Sequence, residues 1–111
     1  MDRRVELVIS QIETDVAHAW ETAELAALVN LSASRFRHLF KEETGLTFGA
    51  YLRERRLQRA EFLLRTTFFS IKEVMSEAGL SSMSHFVEYF KARYGVTPTA
   101  YRKHLATFVK H

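Results

Sequence analysis

Apolar residues in this chain recur at three- and four-residue steps, and no stretch alternates for long with period two. Val5, Val8, Ile9, Ile12 and Val16 set that step first, so residues 3–18 read as an amphipathic helix. Thr22 reads as the cap of a short second helix over 23–29, with Glu24 well placed in its first turn. Ser32 opens a third helix that ends near Gly45. Thr47 opens a long fourth, about 48–66, which at roughly 1.5 Å per residue spans about 28 Å. Ser70 to Glu73 has the form of a capping box for a fifth helix over 71–78, broken by Gly79. Ser81 or Ser82 begins a sixth that ends near Gly95. Thr97-Pro98, a cap followed by a first-position proline, opens a seventh. The expected fold class is all-α: seven helices, short connections, no linker.

The pattern repeats. Residues 34–51 and 84–101 are identical at eight of 18 positions. These are Ser34/Ser84, Phe36/Phe86, Phe40/Phe90, Lys41/Lys91, Gly45/Gly95, Thr47/Thr97, Ala50/Ala100 and Tyr51/Tyr101. Random pairing gives about one. Upstream, Leu31/Leu80 and Ser32/Ser81 match at a shift of 49, so one extra residue sits in the second copy's turn. Each copy is a short helix, a tight turn at Val29-Asn30-Leu31 or Ala78-Gly79-Leu80, a capping serine and a longer helix. That is the order of a helix-turn-helix, whose second helix lies in the major groove of a duplex. Two reading helices on one duplex stand about 34 Å apart, one turn of DNA, and a linking helix near 28 Å long is of that order.

Helical phase sorts the two copies into shared and differing faces. With Phe36 inward, Leu39 and Phe40 fall beside it, and Ser34, Arg37, His38 and Lys41 fall opposite, with Arg35 and Glu42 on the edge. Arginine is bidentate to guanine, and serine and histidine reach base edges or phosphates, so this face suits base reading. In the second copy Phe86, Tyr89 and Phe90 face inward. Ser84, Val87, Glu88 and Lys91 face outward, with His85 on the edge and Met83 just before them. Shared letters build one scaffold twice, while Arg37 becomes Val87 and His38 becomes Glu88, which directs each copy to a different sequence. Glu88 is unfavourable beside phosphates unless it accepts from cytosine N4 or pairs with Lys91 three residues on. Ser32, Thr47, Arg53, Arg56, Ser82 and Thr97 are candidate phosphate contacts, because helix starts offer backbone N–H groups and the arginines step along one side of the fourth helix.

Composition narrows the classes. At 111 residues the chain is read as one domain with a modest core rather than two cores. Within it, subdomain one covers about 3–46, the linking helix about 48–66 and subdomain two about 70–106. A net charge of +3 and a pI near 9.4 make nucleic acid a candidate partner without requiring it. No apolar run is long enough for a membrane span, and the N-terminus has the wrong flanks for a signal peptide. The absence of cysteine excludes disulfides and thiolate metal sites and fits the cytoplasm. His18, His38, His85, His104 and His111 show no ligand spacing, and no Gly-rich phosphate loop or nucleophile elbow appears. Neither metal, cofactor nor enzymatic activity is expected. Trp20 reads as a packing residue between the first two helices.

The runs "LAALVNLSASRFRHLFKEETGLTFGAYLRERRLQRAEFLL" (25–64) and "IKEVMSEAGLSSMSHFVEYFKARYGVTPTAYRK" (71–103) resemble the AraC/XylS family of transcription regulators. The resemblance covers nearly the whole chain. It implies seven homeodomain-like helices and double-stranded DNA near promoters as partner, with RNA polymerase a further candidate. Sensing and dimerisation domains common in the family have no counterpart in this sequence, so it resembles either a cut-out DNA-binding domain or a small stand-alone member and is expected to be monomeric; the expected location is the cytoplasm, in association with the nucleoid. The sequence departs from the family in Glu88 and Val87, where an arginine and a small polar residue, respectively, are common, and in Ser34, where some members present a large side chain. Tandem, unequal copies imply an asymmetric site of roughly two helical turns rather than a palindrome. The rival reading is a helical protein-interaction module without DNA binding.

Overall fold

A computed structural model describes the backbone of residues 1–109 and the side chains of residues 1–105. Seven helices follow in order: α1 Arg3–Thr14, α2 Thr22–Leu28, α3 Ala33–Thr44, α4 Phe48–Thr66, α5 Ile71–Glu77, α6 Met83–Tyr94 and α7 Pro98–Val109. No strand occurs among the described residues. The chain packs as two compact units, Met1–Glu54 and Arg55–His111, and the boundary falls inside α4.

The expectation of one modest core is corrected, because buried side chains gather in two separate clusters. In the first unit Val5, Val8, Ile12, Leu25, Ala26, Phe36, Phe40, Phe48 and Leu52 pack together. In the second, Leu57, Ala60, Leu63, Leu64, Val74, Ala78, Phe86 and Phe90 do so. The repeat is the cause. Each copy carries its own phenylalanine pair, and the two ends of α4 each supply apolar residues to one cluster.

The turns inside the two copies have the same hydrogen-bond pattern. In the first, Leu31 N–H donates to Ala26 C=O at 2.9 Å and Asn30 N–H to Ala27 C=O at 3.1 Å. In the second, Leu80 N–H donates to Met75 C=O at 2.9 Å and Gly79 N–H to Ser76 C=O at 3.0 Å. Both are Schellman closures, which need one residue in the left-handed region. Asn30 (φ +60°) and Gly79 (φ +85°) fill that position. Asparagine tolerates it better than most side chains do.

Ser32 and Ser82 cap α3 and α6, accepting from Arg35 N–H at 3.2 Å and His85 N–H at 3.3 Å. The open choice between Ser81 and Ser82 is therefore resolved as Ser82, and Ser81 is the inserted residue of the second turn. The capping box of Ser70 and Glu73 is present, and hydrogen bonds from Ser70 hold the Glu73 carboxyl below its ordinary range. Thr47 accepts from Ala50 N–H and Thr97 from Ala100 N–H, both at 3.1 Å.

Three helices differ in extent from those the sequence predicts, α5 by one residue only, since it ends at Glu77. First, α1 stops at Thr14 rather than continuing to residue 18. Asp15 N–H turns back to Ile12 C=O, and the Trp20 indole N–H donates to Asp15 C=O at 2.8 Å, which closes the chain away from the helix. Trp20 itself is half-buried against the first cluster. Second, Thr22 is the first residue of α2 rather than its cap. Glu21 takes the cap position and makes no side-chain cap bond. Unassigned from sequence, Asp2 caps α1 by accepting from Arg4 N–H at 2.8 Å. Hydrogen bonds from Arg4 hold its carboxyl at about 2.

Candidate nucleic-acid interface

The polar face of α3 is positioned by what lies beneath it. Phe36 and Phe40 are 1% and 0% exposed. Their rings stand 5.7 Å apart, and each meets Phe48, at 5.9 and 5.8 Å. Ser32 fixes the start of the helix, and Gly45, at φ +80°, ends it with its N–H on Lys41 C=O at 2.8 Å. With both ends capped and one side anchored, Ser34, Arg35, Arg37, His38 and Lys41 are all exposed.

Clefts border this ridge. One, of about 830 Å³, brings Ser34, Arg37, His38, Lys41 and Thr47 together with Thr22 and Gly49. A smaller one, of about 400 Å³, gathers Ser34, Arg35 and His38 with Arg4 and Leu39. Glu42, placed on the edge by helical phase, borders both. Thr22, Gly49 and Arg4 were not singled out as site residues. Nothing in their local sequence marks them, because they reach the ridge through tertiary packing of α1, α2 and the start of α4. No atom lies within 4 Å of a Cβ built on Gly49, so the first turn of α4 is open at that point.

In the second unit Phe86 and Phe90 are fully buried and α6 presents Met83, Ser84, His85, Glu88 and Lys91 to solvent. His85 lies 5.9 Å from the Tyr89 ring, and Ser84 Oγ lies 3.3 Å from Ser82 Oγ. Val87, read as outward, is half-buried. The buried stripe is centred between Phe86 and Phe90, about 20° past Phe86, which leaves Val87 about 80° from the centre and on the flank. Arg37 has the same phase in α3, but its long side chain carries the guanidinium clear. Among the described residues Glu88 makes no ion pair, so the pairing with Lys91 left open above is not formed.

The candidate phosphate contacts differ in access. Ser32, Thr47 and Arg53 are exposed, whereas Arg56, Ser82 and Thr97 are half-buried. The four hydroxyls already serve as helix caps. Arg102, by contrast, is structural: its guanidinium donates to the carbonyls of Leu64 and Thr67, each at 3.4 Å, and to that of Phe69. It holds the chain that leaves α4.

Among the described residues no group of three or more His, Asp or Glu side chains is placed to hold a metal ion, and His111 lies outside them. No helix there is long and apolar enough to cross a membrane.

Residues 25–104 match the family profile of the helix-turn-helix domain. The transcriptional regulator GadX of Escherichia coli strain K12 is 35% identical over 99 residues, which is 89% of this chain and 36% of GadX. The chain spans about a third of the length of the curated relatives it matches. A Chromobacterium violaceum transcriptional regulator described as AraC-type has a TM-score of 0.84 at 29% identity, covering 94% of this chain and 93% of its own. The DNA-binding domain of AdpA, solved with a target DNA, also scores 0.84, at 26% identity and 90% coverage of both chains. With the profile spanning most of the sequence and both helix-turn-helix copies seen in the fold, the chain belongs to the helix-turn-helix family of AraC-type DNA-binding domains.

Proposed function

We propose that this chain is the DNA-reading part of a transcription regulator and binds double-stranded DNA at an asymmetric promoter site. In this reading α3 and α6 enter adjacent major-groove segments. Ser34, Arg35, Arg37, His38 and Lys41 contact the first segment, and Met83, Ser84, His85, Val87, Glu88 and Lys91 the second. Ser32, Thr47, Arg53, Arg56, Ser82 and Thr97 lie along the phosphates. The domain acts as a monomer, in the compartment that holds the DNA, with RNA polymerase as a further partner and no catalysis.

The observation that carries the proposal is the exposed polar face of α3. Three cationic side chains and a histidine stand on a helix whose opposite side is locked by two fully buried phenylalanines. Such a face has the donors that guanine edges and phosphates accept. AdpA, similar in fold, is described as bound to a target DNA, which supports the same role here.

Salt titration of duplex affinity tests it. The logarithm of the binding constant is expected to fall linearly with the logarithm of salt, with a slope of about −0.9 per neutralised phosphate. A flat response, with no preference for any duplex, favours the protein-interaction module instead.

A further inference from the structure

The face of α6 carries the wrong chemistry for a generic DNA-binding helix, and that fixes what it reads. Glu88 is exposed, is acceptor-only when ionised and has no ion-pair partner among the described residues. A bare carboxylate facing a polyanion is repelled unless a donor meets it. In the major groove the donors are cytosine N4 and adenine N6, and adenine N6 sits beside the N7 acceptor, which repels a carboxylate. Guanine offers only acceptors there. Cytosine is therefore the base that Glu88 tolerates.

The neighbouring stripe is apolar. Met83 and Val87 stand four residues apart, one turn on the same side of α6, with Met83 39% exposed and Val87 half-buried. In the major groove the apolar group they match is the 5-methyl of thymine. Nothing comparable exists on α3, where Arg37 stands at the position of Val87.

We propose that α6 selects thymine and cytosine in neighbouring base pairs: Met83 and Val87 seat a thymine 5-methyl group, and the Glu88 carboxylate accepts a hydrogen bond from cytosine N4. This rests on the DNA-binding reading above and assigns the base chemistry of the second half-site.

The test uses the full 111-residue chain. Duplexes are enriched from a random pool, and each thymine of the α6 half-site is then replaced in turn by deoxyuridine, which removes only the methyl group. One replacement is expected to weaken wild-type binding by about fourfold, the worth of one buried methyl. The same replacement is expected to have little effect on Val87→Ala. In a parallel selection, Glu88→Arg is expected to change cytosine to guanine at one position and to leave the α3 half-site unchanged. Enrichment of the α3 half-site alone, an unaltered Glu88→Arg preference, or indifference to every deoxyuridine overturns the inference while DNA binding stands. Failure to enrich any duplex overturns the DNA-binding reading and this inference with it.

Discussion

Tyr51 presents its ring edge-on to Phe40, 5.2 Å between centroids at 79°, and in the second unit Tyr101 meets Phe90 in the same way at 5.5 Å and 78°. These four residues are among the identities of the repeat, and each pair ties α3 or α6 to the helix that follows it. Around them the third aromatic changes place: Phe48 stands where the second copy has Pro98, and Tyr94 where the first has Thr44. Each pocket is filled by a different solution around one fixed pair. Phe40→Ala is expected to cost about 3–5 kcal/mol in chemical denaturation, because a large ring leaves a cavity. Leu46→Ala, at an exposed site, is expected to stay within about 0.5 kcal/mol.

The left-handed positions give a second prediction. Gly79→Ala places a Cβ at φ +85° and is expected to cost about 1–2 kcal/mol. Asn30→Ala, at φ +60°, is expected to cost about 1 kcal/mol, whereas Asn30→Gly is tolerated. Urea midpoints read at constant m-value check all three.

These elements also mark what the sequence makes legible. Glycine at helix ends, serine caps and phenylalanine spacing act through local hydrogen bonds and helical period, so α3, α4, α5 and α6 are visible in the letters to within a residue or two. The early end of α1 at Thr14 is not visible there. Val16 fits the helical period, and the interruption comes from the Trp20 indole bonded to Asp15 C=O, which period does not encode. At the site, phase alone identifies the exposed side chains of α3. It misjudges Val87 because phase ignores side-chain length. Arg102 was missed as a structural residue because its partners are carbonyls brought to it by the chain after α4.

Arg102 supplies a third prediction. Its planar fork reaches three carbonyls that an ammonium cannot span together. Arg102→Lys is expected to destabilise by about 1–3 kcal/mol by thermal or chemical unfolding. The charge is retained, so a loss of that size identifies geometry as the cause.

A fourth concerns pH. Burial alone would raise the Glu61 carboxyl, but hydrogen bonds from Arg65, at 2.5 Å, and from the Tyr101 hydroxyl outweigh it and hold Glu61 below its ordinary range. Burial, then the bond to Glu61, pushes Tyr101 up to about 12. A lowered carboxyl contributes stability that is full above the unfolded value of about 4.3 and is lost as pH falls through the folded one. A raised phenol contributes stability that is full below about 10 and is lost as pH rises through its folded value. Glu61→Gln is expected to flatten the acid limb of a stability profile from about pH 5 downward, and Tyr101→Phe the alkaline limb above about pH 10.

The account turns on Arg37, exposed on α3 above two buried phenylalanines. The most direct measurement is the affinity of wild type and Arg37→Ala for a selected duplex and for its single-base-pair variants. The expected result is a loss of about 1–3 kcal/mol on the selected duplex, with preference relaxed at one base pair and kept at the others. Equal affinity of the two proteins for every duplex contradicts the account.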